Sequence, residues 1–320
     1  MSASRPGKPK LHVVVSLDVE EEGLFSGRYA TRNCTVRNVA LLPRLAPLSL
    51  ELGYPLTLFC AHAVFADPDA RKTLAFMRDT CGAEIAAHLH HWSTPPFPEG
   101  DGAPARTHTL PADLLDQRLG NLLKAGRDFQ GAPLTGFRMG RWDMKGHLRP
   151  LLVRHGILVD SSVCPLRAFP GGGPDHFLAP ADPYRADGLL VSPVTQIPAI
   201  PVLARGWHAL APRRRLDAFH NFAALSANPV WHGDAVMRWT ARLHVARGGT
   251  VLHFFWHSSE MLPGASPNIP DAAAAQRLLD RIRSFLAWLR EEFAVHPLTA
   301  SQLHGMATYF PSRPQGPGDW

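Results

Sequence analysis

Three histidines crowd the stretch Ala83-Glu84-Ile85-Ala86-Ala87-His88-Leu89-His90-His91-Trp92. The short apolar run Ile85-Ala86-Ala87 ends abruptly at His88, and Ser93-Thr94-Pro95-Pro96 then turns the chain away. This pattern predicts a buried strand that delivers imidazoles to its mouth. His88 and His90 stand at i, i+2 and share a side of an extended chain, whereas His91 faces the other way. Two further runs have the same grammar. Val13–Leu17 leads into Asp18, Glu20, Glu21 and Glu22, and Thr250–Trp256 leads into His257-Ser258-Ser259-Glu260. Asp18 and Glu20 are again i, i+2. Four acids within residues 18–22 repel one another, and a nearby cation relieves that cost. Read alone, this run is as well explained by a solvated acidic turn. Imidazole with carboxylate, however, is a common zinc environment that leaves one position for water. Such a metal lowers the pKa of bound water to about 7 and polarises a carbonyl. The chemistry these residues could perform is metal-assisted hydrolysis of an acyl group.

His257 follows the aromatic run Phe254-Phe255-Trp256 and should be partly desolvated, which suits a general acid. His253, four residues earlier, belongs inside the strand and reads as structural. Asp160, after Ile157-Leu158-Val159, could orient a histidine. Arg138 could hold a carboxylate through bidentate hydrogen bonds. Trp142 could form a wall for a sugar ring.

The elements that must position these residues alternate over residues 11–160. Strands are expected at Leu11–Leu17, Pro55–Ala61, 83–87, Leu134–Arg138 and Ile157–Val159. Between the second and third strands, Asp67-Pro68 is an N-cap with proline at the first helical position, and Gly82 is the stop. Leu115, Leu119, Leu122 and Leu123 make a helical stripe in a segment running to Phe129. Val36–Leu52 is broadly helical, with Pro43 and Pro47 breaking it. Strand–helix alternation implies a parallel sheet or barrel, in which strand C-termini share one face. Residues 93–108, rich in Pro and Gly, read as a rim or lid. Residues 164–248 show short strands at Leu189–Val191 and Thr195–Ile197 and helices at Asp217–Leu225 and His232–Arg247, in no clear order. A strand at 250–256, a helix from Asp271 to Phe293 and a short helix at Thr299–Met306 close the chain. No linker marks a domain boundary, so one unit over 11–310 is expected, with flexible tails at 1–10 and 311–320.

At 320 residues the chain can bury a large core, and 45% hydrophobic content is ordinary for a globular protein. The formal net charge is +6. That excess fits an anionic substrate or a membrane surface, or solubility alone. The one dense basic run, Arg213-Arg214-Arg215, reads as a solvated loop. No zinc-finger spacing and no basic–aromatic stripe is present, which argues against nucleic acid. The four cysteines, at 34, 60, 81 and 164, form no C-x-x-C pair and no disulfide framework. No apolar run reaches a membrane span, and the polar N-terminus offers no secretory h-region, so a cytoplasmic protein is the expectation.

Together these segments resemble the polysaccharide deacetylases, the NodB-homology superfamily or carbohydrate esterase family 4. A candidate for each of five ordered motifs is present: Ser16-Leu17-Asp18-Val19-Glu20, Glu84–His88, Phe137–Trp142, Asp160–Pro165 and Trp256–Glu260. The resemblance implies a distorted (β/α)7 barrel and a divalent metal, usually zinc, held by an acid and two histidines. It makes Asp18 the catalytic base, His257 the acid, Arg138 the residue that holds the base, and Asp160 the residue that tunes the catalytic histidine. The metal acid falls on Glu20, since the usual position is Val19. The first metal histidine falls on His88. The second should come four residues later, where this chain has Trp92, so His90 is the candidate, with His91 next. Trp92, Trp142 and Ser258 are the candidate substrate contacts. The implied activity is removal of an N-acetyl or related acyl group from an amino sugar of a saccharide. Two alternatives stay open: a C–N hydrolase or sugar deformylase on the same fold, possibly without metal, and a carbohydrate-binding pseudoenzyme.

Overall fold

A computed structural model describes residues 7–97, 105–314, 318 and 320. The central feature is a curled sheet. Its strands are β1 (Lys10–Val19), β2 (Leu56–Cys60), β3 (Glu84–Leu89), β4 (Gly136–Met139), β5 (Val159–Asp160), β6 (Tyr184–Ala186), β7 (Leu189–Val191), β10 (Val251–His257) and β11 (Ala294–Leu298). The strands β8 (Gln196–Pro198) and β9 (Ala224–Ser226) form a separate antiparallel pair. The sheet order is β10-β1-β2-β3-β4-β5-β7-β6. The pairings from β10 through β7 are all parallel, and only the β6 edge is antiparallel. β1 serves two neighbours on one side: its first half pairs with β11 and its second half with β2. Between β7 and β10 the ring is bridged by irregular chain. The Thr195 N–H donates to the His253 carbonyl, and the Asp182 carboxylate accepts from the Thr250 and Val251 N–H groups. The seven parallel strands from β10 through β7 make the distorted (β/α) barrel expected from the sequence, with β6 and β11 added at its margins.

The strands read as continuous apolar runs because both faces are covered. Val13, Val15 and Leu17 pack outward against helices, in a core that includes Leu74, Met77, Leu119, Phe285 and Leu289. Val14, Phe59 and Ala86 fill the inside. The helix Pro68–Cys81 begins where Asp67 accepts from the Asp69 and Ala70 N–H groups and ends at Gly82 in the left-handed region. Pro43 and Pro47 restrict 37–50 to a 3-10 stretch and one short α-turn. Between 164 and 248 the chain departs from expectation. Pro201–Leu210 is an unforeseen helix, and the helix expected at 217–225 is a 3-10 stretch, Arg213–Asn221, followed by β9.

Some residues near the chain ends make contacts with the rest of the protein. Lys10 already pairs with Ala294, Ser312 bridges to Arg185, and Trp320 is buried against Tyr184. Residues 98–104 of the expected rim, and 1–6, 315–317 and 319 of the tails, lie outside the described residues.

Candidate metal centre and cleft

Parallel strands put their C-terminal ends on one face, and register decides which residues meet there. Asp18 on β1 aligns with His257 on β10, and His88 on β3 aligns with Arg138 on β4. Period 2 does the rest. Glu20 follows Asp18 to the same side, and His90 follows His88.

Glu20, His88 and His90 converge, with one ligand atom from each lying within 4.8 Å of the others. Glu20 Oε2 is 3.4 Å from His88 Nε2 and 3.3 Å from His90 Nε2. Four donors placed tetrahedrally around a zinc-sized ion are separated by ~3.4 Å, so the spacing fits. The outer contacts fit as well. His88 Nδ1 lies 3.0 Å from the Arg138 carbonyl, which must accept, so the Nε2 lone pair faces the cluster. His90 Nδ1 lies 2.9 Å from Glu21 Oε1, off the ideal hydrogen-bond line. Glu21 is itself fixed by the Ser93 hydroxyl at 2.8 Å and the Trp92 indole N–H at 3.1 Å. A divalent cation with one carboxylate and two imidazoles would sit here with positions left open.

The electrostatics of the cluster's own side chains point the same way. Burial would raise the Glu20 pKa, but His257, His88 and His90 outweigh it and hold the carboxyl far below its ordinary range. Burial would lower the His90 pKa, but the Glu21 and Glu20 carboxylates push it up to about 10. The pocket therefore prefers positive charge beside its acids.

Asp18 sits next to the cluster. Its Oδ1 is 2.5 Å from Arg138 Nη1, and its Oδ2 is 3.8 Å from His88 Nε2 and 3.7 Å from His257 Nε2. Arg138 is fully buried and fully engaged. It donates to the Ser161 carbonyl, the Ser16 and Ser161 hydroxyls and His253 Nε2, and its guanidinium lies 4.2 Å from the Phe59 ring centroid. Because His253 Nε2 accepts from Arg138, its proton is on Nδ1, facing the Ser192 hydroxyl. Burial and the Arg138 charge hold His253 neutral, well below its ordinary pKa.

His257 takes its orientation from Glu260. Glu260 Oε2 accepts from both the backbone N–H and Nδ1 of His257, each at 3.0 Å. Nε2 is thereby left facing Asp18. Burial pulls the His257 pKa down, but Glu260, Glu20 and Asp18 prevail and raise it to about 9.

Several expected site residues lie elsewhere. Asp160 does not reach His257. Its carboxylate pairs with the buried Arg149 at 3.1 Å and accepts from the Ser162 N–H. A buried aspartate takes the nearest buried guanidinium, and the helix Arg149–Arg154 supplies it. Ser258 is a strut: its buried hydroxyl accepts from the Glu20 N–H at 3.2 Å. His91 is turned away from the cluster, and burial with the Arg118 charge lowers its pKa to about 4. Trp92 stacks on His90 with centroids 4.3 Å apart, and only part of it reaches the cleft.

Above the cluster opens a cleft of about 310 Å³ lined by Phe25, Tyr29, Trp92, Trp142, Phe169 and Trp231, with Arg106, Arg141 and Arg167 among the polar side chains. Arg141 and Trp142 both hold positive φ, 58° and 55°. Non-glycine residues in that region cluster at functional sites. Glu21, Glu260 and the cleft walls other than Trp92 and Trp142 were not singled out from the sequence. Glu260 had a signal, an acid three residues after a histidine at a strand end.

No family model matches the chain, and no curated protein does. Solved structures do. A protein from Mycobacterium smegmatis assigned as a polysaccharide deacetylase is 19% identical over 98% of this chain and 96% of its own, with a TM-score of 0.58. One from Parabacteroides distasonis, assigned as a glycoside hydrolase/deacetylase, is 10% identical over 94% and 71%, with a TM-score of 0.61. The PuuE allantoinase is 16% identical over 94% and 92%, with a TM-score of 0.53. At these identities the likeness is one of fold.

Proposed function

We propose that this chain is a metal-dependent hydrolase of the polysaccharide deacetylase type, acting on the N-acetyl or a related acyl group of an amino sugar. The observation that carries this reading is the placement of a carboxylate and an imidazole beside a metal-fit cluster at the floor of an aromatic cleft. Asp18, His88, Glu20, His90 and His257 are drawn from three strand ends that are far apart in the sequence. The fold shared with deacetylase structures is consistent with it.

A divalent cation, zinc by its donor set, would supply Lewis acidity and an acidified water at Glu20, His88 and His90. The chain's own groups divide the proton work. Asp18, held by Arg138, accepts a proton from the attacking water. His257, kept protonated by Glu260, donates a proton to the departing nitrogen. Tyr29, Trp142 and Trp231 offer faces for sugar rings. We favour a cytoplasmic nucleotide- or lipid-linked saccharide as the substrate class, and we read residues 11–310 as the one unit that carries the activity. The C–N hydrolase and pseudoenzyme alternatives drew on Trp92 standing where a ligand was expected. His90 lies where it can serve instead, which favours the metal-dependent reading.

The test is acetate release from N-acetylglucosamine oligomers by chelator-treated protein with and without added Zn²⁺. Release should require the cation and fall by about 10²–10⁴-fold in Asp18→Asn, as for loss of a general base. A metal-loaded preparation that releases no acyl product from any amide- or ester-bearing sugar overturns the proposal.

A further inference from the structure

The segment 199–223 is unusual in what it shows to water. Five of the eleven large apolar side chains exposed among the described residues lie in it: Ile200, Val202, Leu203, Leu210 and Phe222, with Val202 at 76% and Leu210 at 87%. Single exposed apolar residues are ordinary, but a cluster is not. The helix Pro201–Leu210 explains the cluster. It buries Ala204 and packs Trp207 against Phe219 and Phe222, so Val202, Leu203 and Leu210 are left on the far side. An apolar residue on the buried face holds the helix to the protein, and those on the outer face have no such role.

The same segment is basic. Arg205, Arg213, Arg214 and Arg215 are exposed, and none pairs with a carboxylate among the described residues. Its single acid, Asp217, is engaged by Arg167 at 2.5 Å. Asp217 and His220 also fix where the segment sits. Arg167 lines the cleft, and so does Trp231, whose ring meets His220 edge-on at 4.6 Å. The patch is therefore anchored at the cleft wall.

We infer that this segment is a membrane-docking surface that seats the cleft against an anionic lipid bilayer. Apolar side chains inserted among headgroups, with flanking arginines on anionic lipid, is the chemistry of interfacial association. Contact with a second copy is disfavoured by charge. A two-fold interface sets the same patch against itself, which would bring unpaired arginines face to face. The inference does not depend on which bond the cleft hydrolyses. It does predict a substrate presented at a membrane.

The experiment is co-sedimentation of the full chain with vesicles of phosphatidylcholine alone and of phosphatidylcholine with one third phosphatidylglycerol. The wild type should bind the anionic vesicles at least about tenfold more tightly, with binding weakened by salt. Val202→Ser/Leu210→Ser and Arg213→Glu/Arg214→Glu should each lose about tenfold or more in binding. All four positions are exposed, so thermal midpoints should stay at the wild-type value, which separates lost docking from lost folding. The proposal is overturned if the wild type ignores anionic vesicles, or if both variants bind as well as it does. It is equally overturned if the apolar variant merely converts a dimer to a monomer in protein that never binds lipid.

Discussion

Replacing Glu260 with glutamine tests the reasoning about the acid group most sharply. Glu260 Oε2 lies 3.0 Å from His257 Nδ1 and is itself buried. At an effective dielectric near 20, unit charges about 4 Å apart attract by roughly 4 kcal/mol, equivalent to about three pH units of imidazolium stability. Glutamine keeps one acceptor, and water entry recovers part of the loss, so a fall of about one to two pH units is expected. The sign follows from the role. A general acid works while protonated, so activity should hold below the raised His257 pKa and decline above it. In Glu260→Gln that basic limb should move to lower pH, and kcat at the optimum should drop by about 10–100-fold as the ring loses its orientation. The assay is the pH profile of kcat and kcat/KM for acyl release, with circular dichroism to confirm folding. If the basic limb stays at the wild-type position in a folded variant, His257 is not the group that titrates there and its assignment as the acid fails.

Gly140 stands against the His90 ring, where an added Cβ would collide with the ring edge and lie 2.9 Å from the Leu89 carbonyl. Gly140→Ala should therefore push His90 out of line and weaken Zn²⁺ affinity by about 10–100-fold in competition titrations, and affinity equal to wild type would show that His90 is not a ligand. Arg138→Met leaves Asp18 buried without its partner, and urea unfolding should report a loss of about 3–5 kcal/mol. A loss below about 1 kcal/mol would mean that the pair is not desolvated as drawn.

The parts of this molecule that were legible in the sequence are those decided locally. Asp67, Pro68 and Gly82 set a helix with a cap at each end, and the ends fell where those residues placed them. The apolar runs of β1, β3 and β10 announced strands buried on both faces. The unread parts depend on tertiary contact. Helix Pro201–Leu210 shows apolar residues on both its buried and exposed sides, so no stripe betrayed it. Strand β11 contains Pro297 and is half-exposed, yet β1 accepts it along the edge that β2 leaves vacant. Asp160 was expected beside His257 because its segment matched a motif in order. Which cation it meets is set by Arg149, eleven residues earlier on a helix, and nothing in the local pattern encodes that meeting.

The departure at position 92 has a structural logic of its own. β3 stays extended through Leu89, so His88 and His90 fall on one side by period, and the chain turns at 91–93. A side chain four residues past His88 is thus beyond the turn, and Trp92 uses its position differently. Its ring covers His90, and its N–H fixes Glu21, whose carboxylate faces the other nitrogen of the same imidazole. The ligand candidates then obey one rule: Glu20 lies two past Asp18, and His90 lies two past His88. Their convergence depends on the register of β1 with β2 and of β2 with β3 more than on the shape of any loop. A slip of one residue in either pairing would turn a donor pair to the opposite face. A centre built this way is as rigid as the sheet beneath it, which is the condition a preorganised hydrolytic site must meet.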